Sequence, residues 1–600
     1  MSQHQAFRRV AVDQQIAQKL QTITIPAPTR GIIMSENEAY MQPGGAVICD
    51  NWKPTLRGVS LRGGCEEWCR LPETVPVISS FNYATGDDHQ MFAANLTKIY
   101  NVSTTTPVEV ASGRTSGNYV ASQMANAADD WLLAVNDAGD PILRYDGSTW
   151  ASLLTTTPPN WLVSTAYPVG AKATDTSDGS RWKAASAHTS PATGTFAEAR
   201  NAAPGQWVFD MASDDAPWII GPKGTPVENG GNLVYVCKYR NRFFFIEKNS
   251  MNAWYLPLNA IGGQLLMIPL SGAFTKGGKL LFCAVWSIDA GDGIDDKLVF
   301  ATDLGEIVVF TGGNPGDAAN WRQEGRYTMS PPLGMNAHIA IGGDLLVATV
   351  DGVLPVSGAI TKSRAELELA AVSRNINQMW REQAIDKREH PWTICKWDEY
   401  GGVFVSLPGD LPGKHKCLVV NAATGAWARF TGWDAYCWLR LRGDAFFGTQ
   451  TGRIMQMDRT GYDDGVPYIA TLVGGWEMFQ SPSQTLTWRQ ARASFSAKAG
   501  EPFVPQISAT INYVVTLPTP PAAGIDPGPQ DLWAEGVWDT AKWDNGVPGA
   551  QVIRNTGWVS IGMTGFSHAP IVQVTVAQQA KPVVDMISIA ATFEREGVNV

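Results

Sequence analysis

Between residues 75 and 465 one phrase recurs: two apolar runs of four to seven residues joined by a tight turn. WLLAVNDAGDPILRYDGSTW (131–150) is the clearest copy. A first run meets the turn Asn136-Asp137-Ala138-Gly139, a second run follows, and a further turn ends at Trp150. The same build returns at 233–249 around Tyr239-Arg240-Asn241 and at 297–313 around Thr302-Asp303-Leu304-Gly305. It appears again at 344–357, 401–409, 416–430 and 444–458. Such short β-branched and aromatic runs read as strands, and Asn, Asp and Gly accept the positive φ that hairpin turns need.

Spacing decides how these hairpins assemble. Trp150, Trp321 and Trp427 each follow a hairpin-closing turn. The last two are 106 residues apart, and the first two 171, of which roughly 55 belong to an insert of different composition. Each gap fits two blades of ~40–50 residues, with the indole filling the wedge between neighbours. The expectation is a mainly β chain. It is an irregular β-propeller of six or seven blades, with a small inserted β module and a C-terminal β-sandwich or barrel. A stack of separate sandwiches is the alternative. The excess of Trp, 23 against 21 Phe and 15 Tyr, agrees with that punctuation.

The chain divides accordingly. Residues 1–35 read as an N-terminal arm, with Ala6, Phe7, Val10, Ile16 and Leu20 on one face of a short helix. The propeller occupies 36–157 and 211–465, the insert 158–210, and the C-terminal β domain 466–600. Within the propeller, a capping box at Ser363 and Glu366 and a stop at Pro391 predict one 25-residue helix, a strut between domains or subunits. A linker with five prolines at 517–529 precedes Trp533, Trp538 and Trp543.

The search for chemistry is negative. Lys and Arg number 46 against 56 Asp and Glu, so no overall basic footprint for nucleic acid exists. Eight cysteines in 600 residues make no disulfide framework; they read as reduced thiols, and Cys65 and Cys69 lack a second pair for zinc. No signal peptide is read at the start, and the longest apolar stretch, 280–288, is half a membrane span. GAFTKGGKL (272–280) misses the phosphate-loop spacing and has Leu280 where a hydroxyl must hold magnesium. DAGDGIDD (289–296) lacks the alternation of a calcium loop and reads as a blade turn. Tyr145-Asp146-Gly147-Ser148-Thr149-Trp150 is one residue short of the Asp-box of sialidase propellers, so it speaks for fold rather than activity. No catalytic residue, metal ligand or cofactor is nominated, and a non-enzyme is expected.

Two resemblances add to this. The insert carries Trp161, Tyr167, Gly170, Gly179, Trp182, Ala184, His188, Thr189, Ser190 and Trp207. In that order they resemble the small chitin- and cellulose-binding modules of glycosidases, although Ala171 stands where that family carries Asp. The resemblance implies glycan contact through Trp161, Tyr167, Trp182, His188 and Trp207. The competing reading makes the same rings the core of a mini-domain.

The second rests on Met41-Gln42-Pro43-Gly44-Gly45-Ala46, Asp50-Asn51-Trp52-Lys53-Pro54 and Gly58-Val59-Ser60-Leu61-Arg62-Gly63-Gly64, with Glu594-Arg595-Glu596-Gly597 at the end. This layout is similar to the tail hub or nozzle proteins of short-tailed bacteriophages. It implies a structural virion protein, assembled in the host cytoplasm and repeated as a homo-oligomer, a hexameric ring, around the DNA channel. Its partners would be a portal-side adaptor and tail fibres or a needle, with DNA passing transiently and ejection gated. No membrane span is expected, and host-surface glycan is a further possible partner. The alternative is a propeller that binds host polysaccharide, or a tailspike-like glycosidase.

Overall fold

Every recurring hairpin becomes neighbouring strands of an antiparallel sheet. The computed structural model describes residues 20–595 apart from 35–36, 154–158, 178–180, 210–217, 288–295, 387–391, 408–415, 479–484, 499 and 525–550. The proposed helix face at 1–19, most of the acidic turn at 289–296, Pro391, Trp533, Trp538, Trp543 and the final Glu596-Gly597 lie outside the described residues.

Among the described residues, seven sheets succeed one another as propeller blades. Blade 1 runs from Ser79–Thr85 to Val108–Ala111, and blade 2 from Tyr119–Ala125 to Trp150–Ser152. Blade 3 runs from Leu233–Tyr239 to Leu266–Pro269, and blade 4 from Leu280–Trp286 to Arg322–Thr328. Blade 5 has three strands, from His338–Ile341 to Gly352–Pro355. Blade 6 begins at Ile394–Trp397 and ends at Trp427–Thr431. Blade 7 takes Cys437–Leu441, Asp444–Gly448 and Arg453–Met457, and its fourth strand is Cys65–Arg70 from the start of the chain. The ring is thus closed by pairing its two ends.

Trp150 and Trp427 open the last strands of blades 2 and 6, and Trp321 directly precedes the last strand of blade 4, two blades apart as expected. Trp150 sets its ring 5.0 Å from Phe92 and 5.8 Å from Phe81 in blade 1. Trp321 stacks between Phe310 of its own blade and Phe244 of blade 3, at 5.0 and 6.0 Å. These contacts fill wedges that backbone pairing leaves open. The blades' first strands line the axis and are joined there by side chains. Gln123 exchanges two hydrogen bonds with the backbone of Ala84, Ser80 and Asn82 donate to the carbonyls of Trp438 and Arg440, and Arg440 donates to that of Lys396.

The near-Asp-box turn is held locally. Asp146 accepts from the amides of Ser148 and Thr149 and from both hydroxyls. Burial works against the charge, but these four donors outweigh it and hold the carboxyl down at about 2. A lowered carboxyl contributes stability that is complete above its unfolded value near 4 and fades as pH falls toward about 2. Asp146→Asn should therefore lower stability most at pH 7, with the difference from wild type narrowing as pH falls from about 4 toward 2. Melting temperature against pH for the two proteins measures it, and parallel curves between pH 4 and 2 would refute it.

Two sheets facing each other form the C-terminal sandwich, and the chain's start is woven into both. Blade 6 continues through Ala46–Asp50, Tyr468–Gly474, His568–Val576 and Pro505–Ile511. The opposing sheet orders Trp52–Pro54, Val59–Leu61, Val584–Arg595, Leu486–Lys498 and Gln551–Asn555. Gln21–Pro26 pairs with Val584–Arg595, and Val559–Gly565 with Leu486–Lys498. Of the strands at 46–61, assigned from sequence to the propeller, Ala46–Asp50 pairs with both blade 6 and Tyr468–Gly474, and Val59–Leu61 pairs with Val584–Arg595 of the C-terminal sheet. In LTWRQARASFSAK the buried apolar positions are Leu486 and Trp488, then Ala491, Ala493, Phe495 and Ala497. The parity change falls at a register shift between Trp488 and Gln490, where a bulge turns the apolar set back to the core.

The 25-residue helix does not form as one piece. Val356–Thr361, Arg364–Leu367, Glu368–Ala370 and Arg374–Ile376 are short helical pieces, and only Asn377–Asp386 is a helix of ten residues. The capping box of Ser363 and Glu366 does form. Interruption comes at Val372 and Ser373, whose polar groups are claimed from elsewhere. The Val372 amide donates to Val353, its carbonyl accepts the Trp427 indole, and the Ser373 hydroxyl accepts from the Val353 amide. Tertiary hydrogen bonds here outweigh helix propensity.

Candidate functional site

The five glycan-contact candidates come together in the insert, but mostly inward. A helix, Phe196–Ala202, capped by Thr195 and Glu198, lies over strands Lys172–Thr174, Arg181–Ala184 and Trp207–Phe209. Trp161 stacks on Phe196 at 5.3 Å, and Tyr167 and His188 each meet Trp207 edge-on at 4.9 Å. Trp161, Tyr167 and Trp207 are buried in that cluster, so they offer no flat face to a sugar ring. Trp182 and His188 are half-buried, and the Arg200 guanidinium lies 3.9 Å over the Trp182 ring. The insert's rings form the core of a small module.

The phosphate-loop near miss is also occupied from within. Glu306 accepts from the amides of Thr275 and Lys276 and from the Thr275 hydroxyl. Burial opposes its charge, yet these bonds and Arg326 hold its carboxyl below the ordinary range. The loop's donors already have their anion.

Asp50, Asn51, Trp52 and Arg62–Gly64 of the longer sequence motif converge on one place, the joint where blade 6, ring closure and sandwich meet. Asn51 sits in the left-handed region at φ 61°, which its side chain tolerates. Its amide donates to the Thr431 hydroxyl and the Ile469 carbonyl, and its oxygen accepts from Arg62 and the Thr431 amide. Beside it Asp50 pairs in bidentate fashion with Arg429, at 2.8 and 2.6 Å. Trp52 is wholly buried.

Arg62 is the centre of the joint, with a side chain that is 0% exposed. All five of its N–H groups are used: Nε to Asn51, Nη1 to Gly63 and Asp463, Nη2 to Thr431 and Asp463. The guanidinium lies 4.0 Å over Tyr468 and 4.8 Å over Trp433, whose indole also donates to Asp463. Burial works against this charge, and the bidentate Asp463 more than offsets it, leaving Arg62 more basic than usual. The flanking glycines have a steric reason. A Cβ on Gly64 would stand 1.9 Å from the Tyr462 carbonyl oxygen, and one on Gly63 2.9 Å from the Asp458 Cα. The motif is a fastening, not a reactive centre.

A cavity of about 650 Å³ opens on the propeller axis, with Ser80, Asn82, Gln123, Lys396, Asp398 and Arg440 in its wall. Sequence reasoning nominated none of these; their one signal was their place at the start of each blade. Among the described residues, no group of three His, Cys, Asp or Glu stands close enough to hold a metal ion, and no helix is long and apolar enough to cross a membrane.

No family model matches the chain, and no curated protein matches it. Solved structures do. Saccharomyces cerevisiae Sqt1 is 10% identical over 68% of this chain and 99% of its own, with a TM-score of 0.32. YCF48 bound to D1 peptide is 10% identical over 69% and 97%, at 0.26. Apo AztD from Citrobacter koseri is 10% identical over 58% and 85%, at 0.27. At these scores the likenesses carry no argument about the role of this chain.

Proposed function

We propose that this chain is a structural virion protein of a short phage tail, repeated as a homo-oligomeric ring around the DNA channel. In that role it connects a portal-side adaptor to fibres or a needle and gates ejection. One observation carries the reading beyond the motif resemblance. The strand Gln551–Asn555 lies at a sheet edge with all five residues exposed, Ile553 at 71%, and its neighbour Val559–Gly565 begins beside the exposed Trp558. Among the described residues, an exposed edge that carries Val552 and Ile553 is a hazard on a monomer and an asset in a permanent assembly. The low share of charged residues, 17%, suits the same purpose.

Native mass measurement and electron-microscope class averages of the full-length protein test it. A closed ring, hexameric by the resemblance, is expected; a monomer that releases reducing sugar from host capsule would replace this reading by the polysaccharide one. Ile553→Asp should weaken assembly on the order of tenfold or more, since a carboxylate would be buried at the contact. The melting temperature of the dissociated protein should stay the same, because the side chain is largely exposed within its own subunit. Sedimentation of both proteins across a concentration series gives the comparison.

A further inference from the structure

Blades 3 and 4 meet at their first strands, Leu233–Tyr239 and Leu280–Trp286. No backbone ladder joins these strands, since each pairs only with the second strand of its own blade. Across the seam, Sγ of Cys237 stands 3.0 Å from Sγ of Cys283, both present as thiols. Tyr235, one strand repeat before Cys237, borders the pair and bonds through its hydroxyl to Nε2 of His338 in blade 5, at 3.1 Å. Cys237 is half-buried, whereas Cys283 is enclosed beneath it. Among the eight thiols no other two are in sulfur-to-sulfur contact in the described residues.

We propose that Cys237 and Cys283 are an oxidation site: a low-molecular-weight disulfide converts them to a covalent staple between blades 3 and 4. Cys237 meets the oxidant first because it is the sulfur within reach of solvent; burial pushes the Cys283 thiol well up and keeps it protonated. The Cys237 thiolate, having given its proton to solvent, attacks one sulfur of the oxidant, such as glutathione disulfide. The oxidant's S–S bond breaks and one thiolate leaves. Cys283 then loses its proton and attacks Sγ of Cys237, forming the protein disulfide and expelling the second thiolate. The protein gives up two electrons and two protons, and the oxidant becomes two thiols. In a reducing compartment the pair stays open; in an oxidising one the seam closes. This inference stands on the thiol geometry and holds whatever the chain's biological role.

Folded full-length protein is incubated with glutathione disulfide, quenched with acid, unfolded and mapped by non-reducing peptide mass spectrometry. The expected result is one bridge, Cys237 to Cys283, with titratable thiols falling from eight to six. The oxidised protein should also melt about 5 °C higher, a gain that dithiothreitol abolishes. Cys237→Ser, a small change at a half-buried site, should show neither the bridge nor the shift. Eight thiols remaining after oxidation, or a bridge between other cysteines, would overturn the proposal. Because the mapping is done on the wild-type protein, misfolding of Cys283→Ser would not change what it decides.

Discussion

Arg62→Ala is expected to lower stability by about 3–5 kcal/mol, the largest effect of any single side chain in the joint. The cost is not the sum of five hydrogen bonds. It arises because Asp463, only 11% exposed at its side chain, keeps a charge with no counterion and because the carbonyls of Gly63 and Thr431 lose their donor. Arg62→Lys should fall between, since one ammonium cannot reproduce a fork that serves four residues. Combining Arg62→Ala with Asp463→Ala should recover part of the loss, as the unpaired carboxylate is then gone. Urea unfolding followed by tryptophan fluorescence and by far-ultraviolet dichroism gives the values. In the single variant the two signals should separate, because the bond network ties blade 6 to the sandwich. A loss under about 1 kcal/mol would mean that the pair does not clamp the joint.

Trp161→Ala should have the second large effect, confined to the insert. Removing a buried indole costs about 3–5 kcal/mol, more than a module of some 50 residues holds in reserve. The ring stacks on Phe196, which in turn meets Trp182 and Trp207, so one deletion opens the whole cluster. Hydrogen exchange should rise across 160–209 while the blades keep their protection. The main melting transition should move little, since the module's core is separate from those of the blades. If protection were lost in blades 2 and 3 as well, the insert would be part of the propeller's core rather than a module on it.

The parts legible in the sequence were those that local chemistry determines. Alternation and the Asn, Asp and Gly turns act within about ten residues, and the Trp spacing set Trp150, Trp321 and Trp427 two blades apart. The joint was not legible in that way. Its motif could be recognised, but the partner of Arg62 lies 401 residues away, a distance at which no periodic signal operates. The interrupted helix fails for a related reason, because Val353 and Trp427 compete for the backbone of Val372 from outside the local window. In the insert the ambiguity was chemical: a Trp that stacks on a sugar and a Trp that stacks on Phe196 look alike in one dimension, and burial alone separates them.

Ring closure by Cys65–Arg70 also sets an order of events during synthesis. That strand leaves the ribosome well before Arg453–Met457, the strand on which it pairs. At typical elongation rates of about 5–20 residues per second, the 383 residues added after Arg70 up to and including Arg453 take roughly 20–80 s to appear. For that time six blades can form while the piece that completes the seventh waits. The strand that emerges early is among the last to find its place, and the circle is sealed only when the growing chain comes back to where it began.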